Sequence, residues 1–366
     1  MQLMPNNSRL PAEWAPQSGV MLAWPHEGTD WVETLAAVES TYAEIARQIA
    51  RRELVMIVCA DDAHLRRVRQ LLRAQAVDLA AVRLTVTPFN DTWIRDYGPL
   101  TVSSNGVPRL LDFRFNAWGG KYPASLDDAL PRALHGKGAF GDIALERLSL
   151  VLEGGSIDVD GEGSMLTTRA CLLSSTRNPA LNQSALEAVF RKQLGIEQVL
   201  WLAHGYLAGD DTDSHIDILA RFCDAETIAY TACDDPNDPH YAPLKAMAAE
   251  LAAFRTLAGQ PYRLIPLPLP APIYAAGGQR LPASYSNFLI INGAVLLPIY
   301  DDPADELARQ RLGAAFPDRE IVGVDCTALI QQYGSLHCMT MQLPAGVHLG
   351  SDESDASGTG TTRQQP

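Results

Sequence analysis

Four segments of this 366-residue chain hold residue types that together could carry acid–base and nucleophilic chemistry on a cation. NDTWIRDYGP (90–99) groups Asp91, Arg95 and Asp96 around Trp93; a carboxylate beside an aromatic ring suits a planar cation through charge pairing and cation–π contact. LEGGSIDVD (152–160) sets Glu153 before Gly154-Gly155, where a close backbone approach is allowed. AGDDTDSHIDILARF (208–222) offers Asp210, Asp211, Asp213, His215 and Asp217. On a strand, His215 and Asp217 would share a face and make an acid/base pair. GSLHCMT (334–340) ends on His337-Cys338. A free cysteine is usually a core residue, but one nucleophilic cysteine with a sequence-distant histidine is a recognised pattern. His215 is the favoured partner, because on a strand His337 and Cys338 would point apart and leave His337 to pack or to bond backbone.

Each segment also has a structural explanation. Arg95–Asp96 could be a surface ion pair, Glu153 a solvated hairpin residue, and Asp210 and Asp211 turn caps. A divalent metal at GDDTDSHID is the weaker reading, since the spacing fits neither an EF-hand loop nor H-E-x-x-H.

The elements that must position these residues follow an α/β pattern. ELVMIVCA (53–60) reads as a buried strand, as does VRLTVTPF (82–89), just ahead of the first polar segment. WVETLAAVESTYAEIARQIARR places Leu35, Val38, Tyr42, Ile45 and Ile49 on one helical face, and AHLRRVRQLLRAQ (63–75) is a second amphipathic helix. Asp160-Gly161 and Asn292-Gly293 lie between apolar runs and predict hairpins. ALNQSALEAVFRKQL and PLKAMAAELAAFRTL are helices, and QVLWL is a strand. No Pro-, Gly- or Ser-rich linker divides residues 1–349, which predicts one catalytic domain; 350–366 lacks large apolar residues and predicts a disordered tail.

Hydrophobic residues make up 47% and charged residues 20%, as in globular proteins, and the net charge of −14 argues against a nucleic-acid footprint. Six scattered cysteines without C-x-x-C suggest reduced thiols in a cytoplasmic protein. No signal peptide or membrane span is expected.

Taken in order, W-x-R-D-x-G-P, L-E-G-G, T-D-x-H-x-D and G-x-x-H-C-x-T-x-Q-x-P resemble the agmatine deiminase family, which includes the bacterial-type peptidylarginine deiminases. PAEW (11–14), AWP (23–25) and SYSNFLIINGAVLLPIYDD (284–302) add to the resemblance, which covers about residues 10–348. It implies a pseudo-fivefold α/β propeller of ββαβ-type units around a central active site. It also implies hydrolysis of agmatine to N-carbamoylputrescine and ammonia, and so a place in putrescine and polyamine metabolism. Asp96 and Asp217 would hold the guanidinium, Glu153 and His215 would handle protons, and Cys338 would be the nucleophile. No cofactor or metal is implied; the partner is a small cationic guanidine, and a homodimer is a possible assembly. Asp211 in the loop GDD, or Glu27 or Asp30, would accept the distal amine, with Trp24 and Trp93 as apolar walls. Ser214 and Ser335 stand where glycine is usual in the family, and Ile218 where asparagine is frequent, which alters the loops around the pocket. Free or peptidyl arginine and methylated guanidines are alternative substrates. Rival activities are amidino transfer to an amine, metal-dependent hydrolysis at GDDTDSHID, and a non-catalytic guanidine-binding module.

Overall fold

The computed structural model describes residues 8–350. The tail expectation, apart from Gly350, lies outside them. The described chain forms five mixed β-sheets with helices between their strands. Four sheets repeat one plan: an antiparallel hairpin, a helix, and a third strand parallel to the second. The plan appears in Leu100–Ser104/Val107–Arg114 with Leu145–Val151, in Ile157–Val159/Ser164–Thr168 with Gln198–Leu202, in Ala220–Asp224/Thr227–Thr231 with Arg263–Leu267, and in Leu289–Ile291/Ala294–Ile299 with Glu320–Asp325. The linking helices are Ser125–Gly136, Gln183–Leu194, Tyr241–Ala253 and Ala304–Ala315. The fifth sheet takes its antiparallel pair from both ends of the chain. Met341–Pro344 pairs with Gln17–Ala23, which leads through Leu35–Ala50 to the parallel strand Leu54–Cys59 and then through Asp62–Ala74 to Val82–Val86.

The local reasons are ordinary ones. The face Leu35, Val38, Tyr42, Ile45 and Ile49 is buried, as its helical spacing requires. Helix Asp62–Ala74 starts where the Asp61 side chain accepts a bond from the His64 amide, and it buries Leu65, Val68 and Leu72. Leu54–Cys59 lies between two parallel neighbours, so both of its faces are apolar. Gly161 and Gly293 take φ of +74° and +73° in the two hairpin turns, a region closed to most side chains. One buried apolar cluster runs from Leu10 to Val347; a second surrounds Leu166, Phe222 and Leu251.

Candidate active site

The sequence-predicted site residues occupy equivalent places in the repeated plan. Asp96 lies in the short helix Ile94–Tyr97 just before Leu100–Ser104. Glu153 comes immediately before the turn Gly154–Ser156 and strand Ile157–Val159. His215 and Asp217 sit at the turn Ile216–Ile218 before Ala220–Asp224, Asn287 two residues before Leu289–Ile291, and Cys338 in the turn His337–Met339 before Met341–Pro344. Each sheet thus presents its polar residues from the segment that enters its first hairpin strand. The expected strand placement of His215-x-Asp217 and of His337-Cys338 is corrected here: both pairs sit on 3-10 turns. A 3-10 turn brings neighbours closer together in angle than a strand does, and this lets Cys338 and His337 both reach Asp217.

These turns converge on a cavity of about 200 Å³ lined by Trp93, Asp96, Trp118, His215, Asp217 and Cys338. Cys338 Sγ lies 3.6 Å from Asp217 Oδ2, and Asn287 Nδ2 donates to it at 3.3 Å. His215 Nδ1 is 3.7 Å from Asp96 Oδ1. The Gly155 amide donates to Asp96 Oδ1 at 2.9 Å, and Trp118 Nε1 donates to Oδ2 at 2.9 Å. Asp217 Oδ2 receives a bond from His337 Nδ1 at 2.9 Å, whereas Oδ1 has no hydrogen-bond partner among the described residues. Two buried carboxylates therefore keep acceptor capacity beside the only cysteine thiol on the cavity lining.

The electrostatics suit a cationic ligand. Burial pushes the Asp96 carboxyl up to about 6, with His215 opposing and Asp217 adding to the shift. Burial raises the Cys338 thiol well above its usual range, and Asp217 and Asp96 raise it further. The Asp217 carboxyl lies below its ordinary value because His337 more than offsets burial. Burial lowers His215, but Asp96 foremost, with Cys171 and Glu153, lifts it well above the usual imidazole value. A guanidinium between Asp96 and Asp217 would relieve both carboxylates and the thiol together.

Glu153 is fully buried. Its Oε1 accepts from Arg177 Nε at 3.0 Å, while Oε2 has no partner among the described residues. Glu153, Cys171 and His215 each place a possible ligand atom within 4.8 Å of the others. The GDD loop is divided in use. Both Asp210 and Asp211 line the cavity, but Asp210 also caps its own turn through the Thr212 and Ser214 amides, while Asp211 accepts from the Tyr122 hydroxyl at 2.9 Å. Asp213 pairs with Arg177 and Lys121, so these aspartates do not form a cation cage.

Other expectations change. Trp24 is not a cavity wall: it is buried in the core and its indole donates to Glu39, because the strand Gln17–Ala23 delivers it against helix Leu35–Ala50. Asp30 lines the cavity but Glu27 is exposed and does not. Arg95 and Asp96 are both buried, which excludes a surface pair; Arg95 bonds Gln342 and faces Glu13. His337 bonds two carboxylates through its ring, Asp217 and Glu13, and not backbone as expected. Ser335 is buried against the Tyr300 hydroxyl at 3.2 Å and is absent from the cavity lining. Sequence reasoning missed Trp118, Asn287, Arg177 and Glu13. Of these, Glu13 and Asn287 lie inside PAEW and SYSNF, segments that carry the family resemblance without suggesting a role.

The description of the Porphyromonas-type peptidyl-arginine deiminase family matches residues 9–344. The agmatine deiminase of Stutzerimonas stutzeri (strain A1501) is 36% identical, covering 92% of this chain and 95% of that one. Among solved structures, a Porphyromonas gingivalis protein with the provisional name of arginine deiminase superposes with a TM-score of 0.87 at 46% identity, over 93% of this chain and 99% of that one. C. jejuni agmatine deiminase with substrate bound superposes with a TM-score of 0.86 at 37% identity, over 93% and 97%. The site geometry and these matches agree, and the chain belongs to the Porphyromonas-type peptidyl-arginine deiminase family.

Proposed function

We propose that this protein hydrolyses the guanidine of agmatine to N-carbamoylputrescine and ammonia, with Cys338 as nucleophile. The observation that carries the reading is the convergence of Cys338, His215, Asp96 and Asp217 on one cavity. Asp96 Oδ1 and Oδ2 each have one protein donor, and Asp217 Oδ1 has none, so both carboxylates can accept from guanidinium N–H groups. The bound cation lowers the cost of the Cys338 thiolate, which is held as a thiol in its absence.

The thiolate attacks the guanidinium carbon, and His215 gives a proton to the departing ammonia, leaving a thiouronium bonded to Cys338. His215 then takes a proton from water, the hydroxide adds to the same carbon, and collapse of that adduct frees the thiolate and the urea-type product. Glu153, held by Arg177, raises the proton affinity of His215 through its charge. Two N–H donors, Gly155 and Trp118, fix Asp96.

Agmatine fits the cavity mouth. Asp30, Asp91, Asp210 and Asp211 line it with Tyr122, and no lysine or arginine is among the lining residues. That lining accepts an ammonium and offers no lysine or arginine to an α-carboxylate. Free or peptidyl arginine is the second reading, favoured by the higher identity to the Porphyromonas gingivalis structure. The plan repeated in four sheets, with the fifth assembled from both ends of the described chain, supports a pseudo-fivefold propeller around this site, forming one catalytic domain. Among the described residues no helix is long and apolar enough to cross a membrane.

The test is ammonia release from agmatine, arginine, peptidyl arginine and methylarginines. Agmatine should be the preferred substrate, and Cys338→Ala should release none. Turnover retained by Cys338→Ala would overturn the nucleophile assignment. Transfer of the amidino group to an added amine would replace hydrolysis by amidino transfer.

A further inference from the structure

Cys171 forms no bond to substrate in this reaction, yet its thiol lies in hydrogen-bonding and electrostatic contact with His215 and in electrostatic contact with Glu153. The three side chains are buried, and one ligand atom of each falls within 4.8 Å of the other two. They come from separate pieces of backbone: the turn before Ile157–Val159, the short helix Arg169–Leu172, and the turn beginning at His215. Two of the three also carry unused donor atoms. Glu153 Oε2 and His215 Nε2 have no hydrogen-bond partner among the described residues. Buried polar atoms without partners are uncommon and call for an explanation.

Thiolate, imidazole and carboxylate are the ligand types of zinc, with bonds of about 2.0–2.3 Å. A tetrahedral ion with such bonds needs ligand atoms roughly 3.3–3.8 Å apart. The observed spread of at most 4.8 Å therefore closes with small side-chain movements. His215 lines the cavity and so joins the buried cluster to it. The Arg177 guanidinium opposes a cation here. Its charge, however, is balanced by Asp213 as well as Glu153, and it occupies Oε1 of Glu153 while leaving Oε2 free.

We propose that Glu153, Cys171 and His215 form a binding site for a borderline-soft divalent cation of the zinc type, and that its occupancy stops deimination. Binding exchanges the Cys171 S–H proton, and any second proton on the His215 ring, to solvent; no electron moves. The inhibition rests on the deiminase reading, because the ion would hold His215 away from proton transfer. The binding itself does not.

The test uses zinc and its spectroscopic substitute cobalt(II). Wild type and Cys338→Ala should each bind one equivalent by calorimetry and show a thiolate-to-cobalt charge-transfer band in the near ultraviolet. Cys171→Ala should lose the band, retain measurable ammonia release, and need at least about ten-fold more zinc for half inhibition of that release. Chelator should restore wild-type turnover. Cys171→Ser serves if the alanine variant does not fold, and thermal melts check both. The proposal is overturned if the band persists without Cys171, if it vanishes in Cys338→Ala, or if wild type binds no zinc. Should wild type turn over no guanidine, the function assignment fails while the band still decides the metal site.

Discussion

Replacing Glu13 by glutamine removes a charge far from any substrate contact but central to the buried framework behind the site. Glu13 Oε2 accepts from Arg221 Nη2 at 2.9 Å and His337 Nε2 at 2.8 Å, while Oε1 accepts from the Ile290 amide at 2.7 Å. Arg95 lies 3.8 Å away. Both ring nitrogens of His337 face carboxylate oxygens, Glu13 on one side and Asp217 on the other, so the ring is held between two acceptors. Around Glu13, the buried guanidiniums of Arg95 and Arg221 lie against Glu13, and Arg221 also against Asp158. Glutamine keeps the shape but removes the carboxylate charge that faces both guanidiniums.

Breaking a buried pair costs about 3–5 kcal/mol. The glutamine amide oxygen can still accept from the Ile290 amide or Arg221, which places the expected loss near the lower end, about 3 kcal/mol. With an unfolding entropy of roughly 2.1 cal/mol/K per residue, a chain of this size has about 0.7 kcal/mol/K in total, so Tm should fall by about 4 °C. Activity should fall as well, since Glu13 holds the His337 ring that bonds Asp217. The pH dependence has a definite sign. Burial alone would raise the Glu13 carboxyl, but Arg221 and His337 carry it well below the ordinary glutamate value of about 4.3. A depressed acid stabilises the fold above that value and loses its contribution as pH falls below it. The gap between wild type and Glu13→Gln should thus be constant from pH 7 to about 5 and shrink in more acidic solution. Urea and thermal unfolding over this range check it. A Glu13→Gln protein within about 1 kcal/mol of wild type at pH 7, or a gap that widens on acidification, would refute the reasoning.

Four further outcomes follow from the site. Asp96→Asn should cut kcat/KM for agmatine sharply yet raise the stability of the ligand-free protein at neutral pH: burial pushes that carboxyl up to about 6, so ionising it costs stability as pH rises from about 4 through 6, and equal melting curves at pH 5 and 7.5 for wild type and variant would contradict this. Trp118→Phe removes the 2.9 Å bond to Asp96 Oδ2; a hydrogen bond to a charged group is worth about 1.5–3 kcal/mol, so kcat/KM should drop roughly 10- to 100-fold in steady-state assays. Gly155→Ala would put a methyl 2.8 Å from both Asp96 Oδ1 and His215 Nδ1 and 3.0 Å from Asp217 Oδ2, so turnover should vanish while circular dichroism stays native. Ser214→Gly relieves a φ of +64°, which costs a side chain about 1–2 kcal/mol, against about 0.5–1 kcal/mol of added unfolded-state entropy; a small rise in Tm is expected, and a fall would show that the Ser214 side chain stabilises the loop.

How legible was this molecule from residue letters alone? Periodicity sufficed where packing is one-sided and regular. Leu54–Cys59 falls within a residue of expectation at each end, Leu35–Ala50 lies inside the expected helical segment 31–52, and Asp160-Gly161 and Asn292-Gly293 sit in hairpin turns, because each depends on local dihedrals and local apolar pattern. The short polar turns resisted the same logic. His215-Ile216-Asp217 alternates like a strand, yet the chain folds it as a 3-10 turn, since its register is set by the strand it enters and not by its own pattern. Trp24 was assigned to the pocket from its place in AWP, but a tryptophan ending a central strand has the core on both sides. Trp118 carried no signal except the glycine pair after it; its φ of +53° is a conformation that no helix or strand pattern predicts. The Glu13 network is invisible for a deeper reason: its partners lie at positions 95, 221, 290 and 337, and only the closed fold makes them neighbours.

That difference suggests why the motifs are short and why they lie where they do. Asp96, Glu153, Asp217, Asn287 and Cys338 each occur within four residues of a hairpin's first strand, one for each sheet. A side chain on such a turn is fixed by the strand it leads into, so a few residues of local sequence suffice to place it. Nothing in the local sequence says where the other four turns will be. The buried ion pairs supply that missing constraint. Glu13 ties the segment before Gln17–Ala23 to Arg221 in the sheet of Ala220–Asp224 and to His337 beside the nucleophile, and Arg221 in turn bonds the Phe288 carbonyl at the entry to the sheet of Leu289–Ile291. Charges that add little net stability when paired become costly when misplaced, and this penalises any packing of the sheets that would separate Asp217 from Cys338. Loss of the Glu13 charge should therefore loosen the geometry of the site before it unfolds the chain.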